Sequence, residues 1–135
     1  MRNNPETENK LTYELDEEYE MELDNAGGGL TLLIKHDYFS SDSEHGRRSL
    51  KLFLDSIFQC KTVAQVLLTD SGVRLAGNGS GSVMLDAAKE KNIPVFAGRE
   101  SIEEYGVSIS SHVEVMSDVD IFYSFLSSEE RMVIE

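Results

Sequence analysis

Three continuous apolar runs of strand length constrain the fold of this chain more than any other feature. They are Leu30–Lys35 (LTLLIK), Val63–Thr69 (VAQVLLT) and Ile93–Ala97 (IPVFA). A short apolar run that does not alternate with polar residues is typical of a strand buried on both faces of a parallel sheet. Parallel strands require long crossover connections, which are usually helices. The sequence therefore predicts a three-layer α/β/α fold of the flavodoxin-like kind with a mainly parallel sheet, whose strand order the pattern leaves open.

The segment between the first two runs has the pattern of an amphipathic helix. Ser41 and Glu44 have the spacing of a capping box and predict its start, and Lys61 and Thr62 are its predicted end. Apolar residues recur at helical spacing along the segment. The stripe that they form comprises Leu50, Phe53, Leu54, Ile57 and Phe58.

Two helices are predicted on either side of the third run. One covers Val83–Lys91 and follows a Gly/Ser-rich loop. The other begins at Ser101, where Glu104 completes a second capping-box spacing, and stops at Gly106. The inward side of the first of these helices is predicted to comprise Val83, Met84, Ala87 and Ala88.

Shorter patterns complete the predicted fold. His112–Met116 predicts a fourth strand, Met132–Ile134 a final edge strand or a frayed end, and Val73–Ala76 a short extended piece. Ser117 is predicted to cap a last helix. The apolar residues that share one face of that helix are Val119, Phe122 and Leu126.

The chain is strongly acidic, with a net charge of −13, and nine acids against two bases fall in residues 1–29. We therefore expect an acidic, partly disordered segment over 1–29, with short strands where apolar and polar residues alternate, and an α/β domain over 30–135. The excess of negative charge makes nucleic acid and anionic membranes poor partners. The polar start MRNNPETENK and the absence of an apolar run of ~18 residues predict a cytoplasmic protein without a membrane span.

Candidate functional residues follow the predicted strands, because ligands of open α/β sheets bind beyond the carboxyl ends of the strands. His36 and Asp37 follow the first run, and Asp70 and Ser71 follow the second. After the third run the chain is predicted to turn at Gly98–Glu100 and to enter a helix. Arg99 in this turn is a candidate for holding an anion, and Ser101 is either a plain N-cap or a nucleophile paired with His36 or His112.

Cys60 is the single cysteine, so neither an intrachain disulfide nor a cysteine-rich metal site is expected. We expect it to be a buried apolar filler at the end of the first helix, because free cysteines are among the most buried residues. A carrier role would require an exposed thiol beside a basic group. The loop GNGSGS is neither a dinucleotide fingerprint nor a Walker loop, and no cofactor or metal is expected.

Residues 30–126 resemble the DsrE/DsrF-like family, and within it most of all the C-terminal domain of YedF-type proteins, which are sulfurtransferase-like and linked to selenium metabolism. The most specific parts of the resemblance are Ser71–Leu75 (SGVRL) and the ending Tyr105–Gly106. The resemblance implies a DsrE-like fold, homo- or hetero-oligomers, and a sulfur-carrying cysteine in the turn after the third strand. A pattern similar to C-G-T-C stands there in YedF-type proteins, and its two cysteine positions fall on Gly98 and Ser101.

Because neither of these two positions is a cysteine in this chain, two functional hypotheses follow. In the first, the chain is a DsrE-like domain without the sulfur-carrying cysteine and acts as a non-catalytic binding or assembly subunit, with a sulfur-transfer protein as its partner. In the second it is an enzyme or carrier: either Cys60 carries sulfur, or the turn Gly98–Ser101 processes a small anion together with His36 and Asp37. A flavodoxin-like ligand sensor is a third hypothesis, and co-purified nucleotide or flavin would indicate it. Whether the chain is an enzyme stays open at this point.

Overall fold

The computed structural model describes residues 28–77 and 82–135. The strands are β1 (Leu30–Ile34), β2 (Val63–Leu68), β3 (Val95–Gly98), β4 (Val113–Met116) and β5 (Arg131–Ile134). The α-helices are α1 (Glu44–Cys60), α2 (Ser82–Glu90), α3 (Arg99–Tyr105) and α4 (Asp118–Ser127). A 3-10 helix covers Asp70–Ala76. The short strands predicted in the acidic segment fall within residues 11–24 and lie outside the described residues.

The five strands form one sheet in the order β4-β3-β2-β1-β5, and every pairing is parallel. The predicted parallel α/β architecture is therefore confirmed. The strand order, which the sequence pattern left open, places β1 in the interior and the last strand beside it. Met132–Ile134 lies within β5, so the edge-strand alternative is correct for this segment and the frayed end is not.

The direction of the crossovers decides which face each helix covers. The chain moves along the sheet from β1 to β4 in one direction, and right-handed crossovers therefore place α1, α2 and α3 on the same face. The connection from β4 to β5 runs back across the whole sheet, so α4 covers the opposite face. The result is a three-layer arrangement in which, within the described part of the chain, one face carries three α-helices and the other carries one.

The core is divided between these two faces. The larger part lies under α1 and α2, where Leu32, Val66 and Ala97 of the sheet are fully buried. From the helices, Leu50, Leu54, Ile57, Phe58, Met84, Leu85 and Ala88 pack into the same cluster. The smaller part consists of Leu33 and Leu67 beneath Ile121 of α4. This alternation along β1 and β2 explains why their sequences are continuously apolar.

Several predicted details are corrected by the structure. The cap of α1 is Ser43, whose hydroxyl accepts a hydrogen bond from the Gly46 N–H, so the capping box predicted at Ser41 is wrong by two residues. The segment Val73–Ala76 is not extended but belongs to the 3-10 helix. In α2, Val83 is 47% exposed rather than inward, and Leu85 takes the buried position.

The apolar residues predicted to share a face of the last helix point to solvent. Ser117 caps α4 as predicted, since its side chain accepts from the Asp120 N–H. Ile121 is fully buried, and Phe125 packs beside it on the sheet. The outer face of α4 consists of Val119, Phe122, Tyr123 and Leu126, which are 43–66% exposed. Among the described residues, no helix is long and apolar enough to span a bilayer.

Candidate functional site

The carboxyl ends of β1 to β4 meet at one edge of the sheet, because all four strands are parallel. The residues predicted as a site after β1, β2 and β3 all lie at this edge. The structure divides them into two clusters. One is centred on Ser101 and includes Gly98 and the Asp70 backbone, and the other is centred on Asp37 and includes His36 and Ser71.

Ser101 is buried, with 5% of its surface exposed, and its hydroxyl is fully engaged. It donates to Asp118 Oδ2 over 2.8 Å and accepts from the Asp70 N–H over 2.8 Å. The Ser101 N–H also points to Asp118 Oδ1 at 3.4 Å. These contacts join the ends of β2, β3 and β4 through one serine side chain.

The prediction that Ser101 is an N-cap is wrong. Strand β3 runs directly into α3 without the predicted turn, and Gly98 occupies the cap position without a side-chain hydrogen bond. Ser101 is the third residue of the helix. Its hydroxyl bonds to other elements rather than to its own helix end, so Glu104 closes no capping box with it. The helix does end at Gly106, whose φ of 60° is the left-handed conformation expected there.

Gly98 is packed against the same carboxylate. A Cβ built on Gly98 would overlap Asp118 Oδ1 and approach Asp118 Cγ to 2.8 Å. Any side chain at Gly98 therefore requires Asp118 to move. The sequence resemblance places the two family cysteines at Gly98 and Ser101. In this chain both residues instead pack against Asp118.

Asp118 is the residue that the sequence prediction missed. It opens α4, and its backbone N–H donates to Glu100 Oε1 over 2.8 Å. This hydrogen bond to the ionised form lowers the pKa of Glu100 below its ordinary value. A signal for Asp118 was present, because Ser117 and Asp118 follow β4 just as His36 and Asp37 follow β1.

Asp70 links the two clusters through the backbone. It has a φ of 50°, a conformation that aspartate tolerates better than most residues other than glycine. Its N–H is held by the Ser101 hydroxyl, while its own side chain is exposed. Arg99, the predicted anion-holding residue, opens α3 and is also exposed.

The second cluster is organised by Ser71, which is 6% exposed. The Ser71 hydroxyl lies 3.3 Å from His36 Nδ1 and accepts from the Asp37 N–H over 3.3 Å. The His36 ring stacks on Tyr38, with the ring centroids 4.8 Å apart. His36 therefore contacts Ser71 rather than Ser101, which argues against the Ser101–His36 pair.

Asp37 lies between two arginines. Arg74 Nη1 is 3.7 Å from Oδ2, and Arg47 Nη1 is 4.0 Å from Oδ1, while the Asp37 side chain is only 13% exposed. The Arg74 guanidinium also lies 5.0 Å from the centre of the Tyr105 ring. Asp37 Oδ1 is buried and finds no hydrogen-bond partner among the described residues, which is an uncommon state for a carboxylate oxygen.

Cys60 and His112 lie away from this edge. Cys60 is the last residue of α1 and precedes β2, and His112 precedes β4, so both belong to the amino-terminal edge of the strands. Cys60 is exposed, so the expectation that it is a buried apolar filler is wrong. Near the end of α1 the buried residues are Ile57 and Phe58. Within 28–77 and 82–135, no group of three His, Cys, Asp or Glu residues could hold a metal ion.

Comparison with known proteins supports the architecture. No family model matches the chain. No curated protein matches it either. Among solved structures, the chain is similar to the ychN protein from E. coli, with 17% sequence identity and a TM-score of 0.58 over 78% of this chain and 98% of that one. The ychN protein has a DsrE/DsrF-like fold. At this level of identity the likeness concerns the fold alone, and the fold of this chain is DsrE-like.

Proposed function

We propose that this protein is a non-catalytic DsrE-like subunit that binds or assembles with partners in cytoplasmic sulfur or selenium handling. The observation that supports the proposal is the burial and hydrogen bonding of the Ser101 hydroxyl. A sulfur-carrying group at this position would have to be a thiol with access to a donor. Here it is a buried hydroxyl, and both of its hydrogen-bonding roles are satisfied within the chain.

Asp118 also argues against the processing of small anions at Gly98–Ser101. Backbone N–H groups at the start of a helix attract anions. In this chain the carboxylate of Asp118 takes that place at the start of α3, with Oδ1 3.4 Å from the Ser101 N–H. A second anion there would meet a negative charge and would have to displace an internal contact.

Cys60 is the remaining candidate for sulfur carriage. Its exposure meets one requirement of a carrier thiol. For the other requirement, a basic group beside the thiol, the chain offers its exposed sequence neighbour Lys61. We therefore treat carriage by Cys60 as the alternative that the first experiment must exclude.

The assembly role is supported by the outer face of α4. Val119, Phe122, Tyr123 and Leu126 lie at the i, i+3, i+4 and i+7 positions of one helix and are 43–66% exposed. Large apolar side chains grouped in this way are typical of protein–protein contacts. Since α4 is the one helix of the described residues on its face of the sheet, this face is the one that an oligomer would complete.

Sulfur loading tests the proposal. The wild type and Cys60→Ser are incubated with a cysteine desulfurase and cysteine, and their intact masses are compared. We expect neither protein to gain sulfur. A mass increase in the wild type that Cys60→Ser abolishes would establish Cys60 as a carrier and overturn the non-catalytic proposal.

Assembly is tested separately by light scattering of the purified protein over a range of concentrations. We expect the wild type to form an oligomer and Leu126→Lys to weaken it. Leu52→Lys is the matched control, because Leu52 is 68% exposed on α1. A monomer at every concentration, or equal effects of the two substitutions, would contradict self-assembly through α4.

A further inference from the structure

A groove of about 450 Å³ lies between α1 and α2, outside the Ser101 cluster. Pockets of this size are typical of small-molecule sites in proteins. The base and one wall are apolar and are formed by Leu50, Leu54, Leu75, Val83 and Met84. Val83, which was predicted to be inward, stands at the lip of the groove with 47% of its surface exposed.

The other wall is a charged stripe of α1. Arg47, Arg48 and Lys51 lie along it, about one helical turn apart from first to last. Two of these charges are matched by acids of the same region. Arg47 donates to Asp42 over 2.9 Å, and Arg48 lies 3.6 Å from Glu44. This wall is therefore polar but carries little net charge. It favours a ligand with a polar side over one that is apolar throughout.

Asp37 lies at the end of the groove near the carboxyl edge of the sheet. Its Oδ1 atom is buried and has no hydrogen-bond partner within residues 28–77 and 82–135. Arg47 Nη1 lies 4.0 Å from this oxygen, which is beyond hydrogen-bond distance. The Arg47 side chain is 46% exposed, so its rotation together with the exposed Asp42 would admit a donor from a ligand to this carboxylate.

The charges around Asp37 restrict what that donor can be. Arg47 and Arg74 both lie within 4.0 Å of the carboxylate, and Arg47 also pairs with Asp42 over 2.9 Å, so two guanidinium groups and two carboxylates balance one another. A ligand ammonium group or carboxylate would add an unmatched charge to this balanced cluster. A neutral hydroxyl satisfies the unpartnered oxygen without adding charge.

We propose that the groove between α1 and α2 binds a neutral amphipathic molecule, whose apolar body packs between Leu54 and Val83 and whose hydroxyl group donates to Asp37. This site is independent of sulfur chemistry at Ser101. Its failure would leave the proposed function intact, because the sulfur-loading and light-scattering experiments do not involve the groove.

Three probes of equal chain length test the proposal: 1-octanol, octanoate and octylamine. Binding to the full chain is followed by amide chemical shifts in NMR titrations. We expect 1-octanol to shift residues of α1 and α2 and to bind about tenfold more tightly than either charged probe. No binding of 1-octanol at millimolar concentration, tighter binding of a charged probe, or shifts confined to α4 would each overturn the proposal.

Substitutions at Asp37 and Val83 then test where the hydroxyl group and the apolar body of the ligand bind. Asp37→Ala should weaken 1-octanol binding about tenfold and make octanoate the preferred probe, because Arg47 and Arg74 lose their carboxylate. Val83→Asp should also weaken 1-octanol binding by charging the apolar lip. Val115→Asp is the matched control, since Val115 is a valine of similar exposure, 44%, that lies on β4 and does not line the groove. Unchanged probe preference in Asp37→Ala, or equal effects of Val83→Asp and Val115→Asp, would overturn the assignment.

Discussion

Ser101 and Asp118 are 17 residues apart and are joined by a 2.8 Å hydrogen bond from the Ser101 hydroxyl to Oδ2. The same hydroxyl accepts from the Asp70 N–H. One side chain therefore fixes the relative positions of three strand ends. The family resemblance places a reactive cysteine at position 101. In this chain the serine at that position forms structural hydrogen bonds between the strand ends instead.

Loss of this connection should destabilise the fold. Ser101→Ala leaves the Asp70 N–H and the Asp118 carboxylate without their partner, and unsatisfied buried groups cost about 1–3 kcal/mol. We expect a decrease of that size in the free energy of unfolding, measured by urea denaturation. Ser56→Ala is the control, because the Ser56 hydroxyl donates to Leu52 O on an exposed helix surface. Equal losses in the two variants would contradict the structural role of Ser101.

Gly98 and Asp118 should be energetically coupled. Gly98→Ala places a methyl group where Asp118 Oδ1 lies, so we expect a loss of about 1–3 kcal/mol. In an Asp118→Ala background the same substitution should cost less, because the obstructing carboxylate is absent. A double-mutant cycle measures the difference, which should exceed about 0.5 kcal/mol. Additive costs would show that Gly98 is required for another reason.

Replacing Ser101 by cysteine should not restore sulfur carriage by itself. The carboxylate of Asp118 lies within hydrogen-bond distance of the Ser101 side chain, and a neighbouring negative charge disfavours a thiolate. In a Cys60→Ser background, we expect Ser101→Cys to gain little sulfur from a desulfurase. Adding Asp118→Asn should increase the gain, as measured by intact mass. Full loading of Ser101→Cys with Asp118 intact would contradict this explanation.

Glu100 should contribute stability that acid removes. The hydrogen bond from the Asp118 N–H lowers the pKa of Glu100 from its ordinary value of 4.5, so the ionised form is favoured in the folded state. Its contribution is present above pH 4.5 and is lost as the pH falls through the lower folded-state pKa. We expect the melting temperatures of wild type and Glu100→Gln to differ at pH 7 and to converge in acid.

Glu103→Gln is the matched control for this pH series, because Glu103 is exposed on the same helix. The difference between wild type and Glu103→Gln should be small at every pH. If the difference between wild type and Glu100→Gln instead grows as the pH falls, the sign of the proposed contribution is wrong.

The parallel sheet could be predicted because its signal is local. Each of β1, β2 and β3 is a short apolar run with a helical pattern after it, and burial on both faces requires such runs. The strand order could not be predicted, since the short β5 carries no mark of the strand it pairs with. Its position beside β1 depends on α4 crossing the face that the other helices leave open.

The site was predicted less completely because it depends on contacts between distant elements. Ser101 and Glu104 fit a capping box, and only the position of Asp118 shows that the Ser101 hydroxyl has other partners. Ligands of open α/β sheets bind beyond the carboxyl ends of the strands, and this rule applies to β4 as much as to β1, β2 and β3. Asp118 would have entered the candidate site if that rule had been extended to one more strand.

The position of β5 has a consequence for the order in which the chain can complete its fold. Strand β1 is paired with β2 on one side and with Arg131–Ile134 of β5 on the other. A nascent chain that has reached β4 therefore still presents an unpaired edge along Leu30–Ile34, a strand in which every residue except Thr31 is apolar. Such an edge is a template for pairing between chains. Chains truncated before Arg131 are accordingly expected to aggregate during synthesis, even though four of the five strands are present.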